Sequence, residues 1–226
     1  MKRWKIALDG PSSSGKSTLA KALARELSLV YVDTGALYRA VGLYMLENGI
    51  APKAADAVTA ALARVTVELI CQDGKQTVLL NGNDVGDRIR TPEVSMAASA
   101  VSAIPAVRAF LKELQTDMVK RGGVVMDGRD IGTVIMPDAD AKLFLTASAE
   151  ARASRRYLEM QEKGVECTFE QILKETVERD EADSSRDIAP LVPAADAILF
   201  DNSALDRAQT VTEALRLIRE KCSDEN

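Results

Sequence analysis

The 226-residue sequence contains no histidine. That absence excludes Ser-His-Asp and Cys-His nucleophilic sites and every histidine-ligated metal centre. Acid–base chemistry is left to Asp, Glu, Lys, Tyr or Cys. Cysteine is scarce: Cys71, Cys167 and Cys222 are far apart and show no CxxC spacing, the pattern of reduced thiols rather than of a disulfide framework. No apolar run approaches the roughly 20 residues that span a bilayer, so no membrane association is expected. The chain reaches Asp9 from Met1 after only three consecutive apolar residues. A signal-peptide apolar region does not fit there, and a cytoplasmic location is expected. Basic residues (29) are fewer than acidic ones (34), which disfavours a nucleic-acid partner. With 46% apolar and 28% charged residues, the composition is that of a folded soluble chain.

What is present is a series of short apolar segments that each end in a turn or polar residue. Ile6-Ala7-Leu8 runs into Asp9, Leu29-Val30-Tyr31-Val32 into Asp33, and Val124-Val125-Met126 into Asp127. Leu143-Phe144-Leu145 runs into Thr146, and Ala197-Ile198-Leu199-Phe200 into Asp201. Such segments suit strands buried on both faces of a parallel sheet, whose carboxyl edge is where ligands bind. Helical patterns lie between them: Lys16 to Leu27, with Leu19, Leu23 and Leu27 at i+4 spacing, and Leu205 to Cys222, with Ser203 as its expected N-cap. The alternation predicts a βαβ architecture.

Two regions depart from it. Val65–Ile70 and Gln76–Leu80 flank Gln72-Asp73-Gly74-Lys75 and predict a hairpin, with a third short strand after Asn81-Gly82-Asn83-Asp84. This antiparallel insert is either decoration or a substrate-recognising flap. Glu150 to Arg186 is highly charged and predicts two helices, about 149–163 and 168–182, joined through Gly164, which is expected to ease bending between them. It carries Arg152, Arg155, Arg156, Arg179 and Arg186; for Arg152 a merely solvated helical face remains open.

Gly10-Pro11-Ser12-Ser13-Ser14-Gly15-Lys16-Ser17-Thr18 fits GxxxxGK(S/T), between a strand and an amphipathic helix. The glycines allow tight wrapping, successive amides make an anion nest, and the helix N-terminus adds partial positive charge. Lys16 then bridges β- and γ-phosphates, and the Ser17 hydroxyl serves a magnesium ion. The motif names a nucleoside triphosphate and little more. Asp127, ending its strand, resembles a Walker-B acid, which with Ser17 makes the expected metal pair. For Asp33 and Asp127, turn formation or helix capping is the competing role.

GPSSSGKST, DTGALYR, IRTPEVSMAAS, DGRDIGTVIMPDAD, RRYLEMQEKG, ERDEADSSR and APLVPAADA together resemble bacterial cytidylate kinases, from about residue 5 to about residue 217. The resemblance implies an α/β fold of the P-loop kinase type: a five-stranded parallel sheet flanked by helices, an antiparallel β insert in a monophosphate-binding lobe, and a helical lid. It implies a single domain over 1–226, with core segments about 1–34, 122–148 and 187–226, the lobe about 35–121 with its insert about 65–88, and the lid about 149–186. The implied reaction moves the ATP γ-phosphate to CMP or dCMP with Mg²⁺, in a monomer. Arg39, Arg129 and Arg186 would grip the acceptor phosphate. Ser99, Arg108 and Asp130 would face cytosine, Arg179 and Asp183 the sugar, and Thr34 and Tyr38 the acceptor pocket. Lys16, Asp127, Arg129 and Arg155 would be the catalytic set, Arg155 closing over the ATP phosphates. Thr34 departs from the serine common in relatives but keeps the hydroxyl.

The residues are chemically sufficient for that reaction. A phosphate nucleophile needs no strong general base, so an arginine-rich site without histidine is adequate. Read without the resemblance, Ser99 is a small residue for close helix packing and Arg108 a solvated one. Another small P-loop kinase acting on UMP, shikimate or a nucleoside remains an alternative at this point, as does a nucleotide-dependent switch.

Overall fold

The computed structural model describes residues 3–72, 75–120 and 122–223. In chain order the elements are β1 (Lys5–Asp9), α1 (Lys16–Glu26), β2 (Val30–Asp33), α2 (Thr34–Glu47), α3 (Ala55–Ala61), β3 (Val67–Gln72), β4 (Lys75–Leu80) and β5 (Asn83–Asp84). There follow α4 (Pro92–Val101), α5 (Pro105–Lys120), β6 (Val124–Gly128), β7 (Ala141–Thr146), α6 (Ala149–Glu162), α7 (Phe169–Ser184), β8 (Ile198–Asp201) and α8 (Arg207–Ser223). All five apolar segments are strands of one parallel sheet, ordered β2-β6-β1-β7-β8. Ile6 pairs with Ala141 and Leu8 with Leu143, which in turn pairs with Ile198. The central strands are the most completely buried, as their uninterrupted apolar sequence requires.

The chain divides into two compact units, one formed by residues up to Leu29 and from Val125 onward, the other by Val30–Val124. In the first unit α6 and α7 are set by side-chain caps. The Ser148 hydroxyl accepts from the Ala151 amide, and Thr168 and Gln171 form a reciprocal capping box at the start of α7. Their contact is a small core of Ala153, Met160 and Ile172, with Tyr157 edge-on to Phe169 at 6.3 Å. Gly164 has φ +67° and ends α6, its amide donating to Gln161 O while the Val165 amide donates to Met160 O.

One expected boundary moves. Ser203 does not cap the last helix, because its hydroxyl is committed to Asp201 at 2.6 Å. Asp206 accepts from the Gln209 amide and Gln209 reciprocates to the Asp206 amide, so the helix starts at Arg207.

In the second unit α2 packs on α4 so closely that a Cβ on Gly42 would lie 2.9 Å from Ala98 N. The insert is a three-stranded antiparallel sheet, with Val67 opposite Leu80 and Leu69 opposite Val78. Val67, Val78 and Leu80 join Leu37, Val41, Val101 and Leu111 in the unit's core, while Glu68 and Ile70 alternate outward. Asp73 and Gly74 of the expected turn lie outside the described residues. The third strand begins at Asn83, inside the stretch expected to be turn. No single helix among the described residues is long and apolar enough to cross a membrane.

Candidate active site

The phosphate loop joins β1 to α1. Gly10 has φ +146°, and a Cβ there would lie 2.0 Å from Leu145 O, so no other residue fits without moving the sheet. Ser13 and Gly15 also have positive φ. Consecutive turns of this kind aim backbone amides inward and carbonyls outward. The outward carbonyls are taken by side chains. Lys16 Nζ donates to Pro11 O at 2.5 Å, Arg152 to Ser12 O at 3.2 Å, and Asn202 Nδ2 to Ser14 O at 3.0 Å. Burial holds the Lys16 amine well below the usual lysine range; the nearby Arg129 charge pushes the same way, and Asp127 and Asp9 oppose it. Ser17 and Thr18, by contrast, are exposed at the first turn of α1.

Ser17 Oγ donates to Asp127 Oδ2 at 2.8 Å, so a hydroxyl and a carboxylate from separate elements meet beside the loop. These are hard oxygen donors of the kind Mg²⁺ takes. Among the described residues no group of three or more His, Cys, Asp or Glu gathers for a metal. A cation beside Ser17 would draw its remaining ligands from phosphate and water, which suits Mg²⁺.

The segment after β6 carries Arg129 and Asp130. Arg129 Nε donates to Asp183 Oδ2 at 2.9 Å, and Arg186 pairs with the other carboxylate oxygen. Asp183 is almost wholly buried. Burial alone would raise its carboxyl, but the Arg129 and Arg186 guanidiniums outweigh that and hold it below the usual range. One carboxylate thus fixes two arginines, and the half-buried Arg179 lies on the same helix, four residues before it. Arg155 donates to Asn202 O at 2.8 Å and to Asn202 Oδ1 at 3.2 Å. Arg152 is not a solvated residue: it is 4% exposed and makes a two-pronged pair with Asp180.

In the second unit Asp33 caps α2, accepting from the Ala36 amide at 3.0 Å, and its other oxygen takes Arg39 at 2.8 Å. Capping and arginine placement are therefore one role. Arg39 Nε is buried with no hydrogen-bond partner among the described residues, an arginine prepared for an anion. Arg108 is buried rather than solvated; it donates to Ser102 O at 3.1 Å and stacks over the Tyr38 ring at 5.7 Å. Thr34 is buried at the start of α2, and Ser99 is half-buried on α4.

Asp9, Asn202 and Arg152 were not among the expected site residues. Asp9 and Asn202 follow apolar strands at the same sheet edge as the phosphate loop, which was the available signal. Their partners, Gly132 and Ser14, are 123 and 188 residues distant, which no local pattern shows.

A family model described as cytidylate kinase matches residues 6–220. A cytidylate kinase of Carboxydothermus hydrogenoformans is 47% identical over 96% of this chain and 98% of its own length. One of Fervidobacterium nodosum is 48% identical over 96% and 97%, and one of Salmonella arizonae 44% over 96% and 95%. Among solved structures, a gluconokinase from Sinorhizobium meliloti 1021 superposes with a TM-score of 0.51 at 17% identity, over 99% of this chain and 95% of that one, a likeness of fold. A sheet of this order, a glycine-forced phosphate loop and matches running nearly end to end lead to one assignment: the chain belongs to the cytidylate kinase family.

Proposed function

We propose that the protein transfers the γ-phosphate of ATP, with Mg²⁺, to CMP or dCMP, using the two sets of residues described above. As a member of its family it is a phosphotransferase of the nucleoside monophosphate kinase type. The observation that supports the reading most directly is the Ser17–Asp127 contact beside a lysine-bearing phosphate loop, in a chain that matches the family over residues 6–220. The loop amides of residues 10–18 and Lys16 hold the ATP phosphates. Ser17 and Asp127, the latter directly or through water, would hold the metal. Mg²⁺ held there would supply positive charge to offset the negative charge developing on the transferring group.

The acceptor phosphate oxygen attacks the γ-phosphorus. The new O–P bond forms as the β–γ bridging bond breaks, and its electron pair leaves with ADP. The nucleophile is already anionic, so no base is needed. Lys16, Arg129 and Arg155 stabilise the charge spread over the equatorial oxygens. Arg39, Arg129 and Arg186 take the CMP phosphate. Ser99, Arg108 and Asp130 take the base, Arg179 and Asp183 the sugar, and Thr34 and Tyr38 line the pocket. A monomer suffices for this chemistry.

A coupled ADP-release assay tests the reading, with ATP·Mg²⁺ and CMP, dCMP, UMP, AMP, GMP and shikimate offered singly. CMP and dCMP are expected to turn over in preference to the rest. Preference for another acceptor would overturn the assignment of Ser99, Arg108 and Asp130 to cytosine.

A further inference from the structure

Asp9 is the last residue of β1 and directly precedes Gly10 of the phosphate loop. Its carboxylate meets the segment that follows β6. Oδ1 accepts from the Ile131 amide at 2.8 Å and Oδ2 from the Gly132 amide at 2.7 Å. These are the first amides of a single π-turn, Ile131–Ile135, which has no intrinsic partner for them. Asp130 stands at the N-cap position of that turn, yet its own side chain makes no capping bond. The cap is supplied instead from 122 residues away in the sequence. Gly132 permits the approach, since a Cβ there would be 3.2 Å from Lys142 Cδ and 3.4 Å from Asp9 Oδ2.

We propose that Asp9 is a positioning residue for phosphotransfer: by capping the turn after Asp130 it fixes the segment bearing Arg129 and Asp130 to the root of the phosphate loop. This rests on the assignment of Arg129 and Asp130 to CMP. All the groups involved lie within one compact unit. A carboxylate is the residue the geometry calls for, because both amides need an acceptor and an asparagine offers one oxygen and a donor. Burial makes it an expensive choice: Asp9 is 5% exposed, and desolvation pushes its carboxyl up to about 6 despite the two amides.

The test compares wild type, Asp9→Asn and Asp130→Ala by calorimetric affinities for CMP and for a non-hydrolysable ATP analogue, with kcat and both KM values. Asp9→Asn is expected to raise the CMP Kd about tenfold or more, the worth of a lost bond to a charged acceptor, with analogue affinity unchanged within about twofold. kcat should fall as well. A merely structural Asp9 would lower the melting temperature but leave both affinities at wild-type values, and that result would overturn the proposal. Equal weakening of both ligands would overturn it too. Failure of the underlying reading has a different signature: wild type itself would not bind CMP, or Asp130→Ala would bind it normally. If Asp9→Asn does not fold, Asp9→Ser is used. Amide hydrogen exchange at Ile131 and Gly132 in wild type then provides a second readout, with strong protection expected and solvent-like exchange contradicting the cap.

Discussion

At the scale of single residues the site is built from carboxylates that hold other groups. Asp33 caps a helix and holds Arg39, Asp183 holds Arg129 and Arg186, and Asp9 holds two amides. Asp183 and Asp9 are displaced in opposite directions for a clear reason. Asp183 faces guanidiniums, whereas Asp9 has only amide dipoles and Lys16 to set against burial, with Asp130 adding to the upward push. The sign for Asp9 follows. Its folded-state value, about 6, is above the ordinary 3.8, so its contribution to stability is complete below 3.8 and is lost as pH rises through 6. Relative to Asp9→Asn, which does not titrate, wild type should gain about 1.4 kcal/mol between pH 7.5 and pH 5. Urea unfolding of both proteins at the two pH values measures this. A difference that is constant with pH, or that shrinks on acidification, would show that Asp9 is not held in an unfavourable charged state. The position of Asp9 at the sheet edge was legible in the sequence, but its partners were not, because only the fold brings residues 131 and 132 to it.

At the scale of elements, legibility followed the local determinants. Five strands lie close to where the apolar runs put them, because burial on both faces is written in adjacent residues, and α6 and α7 lie close to the two helices expected either side of Gly164. The start of α8 was misplaced because Ser203 and Asp206 are both acceptable caps, and the choice is made by Asp201 drawing the serine away. Arg152 shows the same limit. Its sequence context is a charged helical face, but it links α6 to Asp180 of α7, to Ala147 O and to Ser12 O of the phosphate loop. Arg152→Ala removes the charged partner of Asp180 and leaves the Ser12 and Ala147 carbonyls without their donor, so it should destabilise by about 3 kcal/mol. It should also raise the KM for ATP, through a loosened loop, more than that for CMP. Thermal denaturation and steady-state kinetics check both parts. A surface arginine's effect, within about 0.5 kcal/mol and with unchanged KM, would contradict the linkage.

At the scale of the whole molecule, the proposed reading assigns Lys16 to ATP and Arg108 to CMP, and that assignment is measurable. Residues up to Leu29 and from Val125 hold the phosphate loop, Lys16 and the Ser17–Asp127 pair; Val30–Val124 holds Arg39 and Arg108. A ligand that binds only the folded protein stabilises it by about 2.7 kcal/mol at a hundred times its Kd, so each nucleotide should raise the melting temperature on its own. Lys16→Ala removes the buried amine without touching the stacked Arg108–Tyr38 pair. It should therefore diminish the shift given by an ATP analogue with Mg²⁺ and preserve the shift given by CMP. Arg108→Ala should do the reverse. A lost bond to a charged group is worth about 1.5–3 kcal/mol, or roughly a ten- to hundredfold change in Kd. That is large enough to remove most of the shift at a fixed nucleotide concentration. Melting curves of wild type and both variants, each with no nucleotide, with CMP and with the analogue, make the comparison complete. If Arg108→Ala diminished both shifts equally, the acceptor would not be the ligand that Arg108 serves. If neither variant altered either shift, the assignment of Lys16 to ATP and Arg108 to CMP would be wrong.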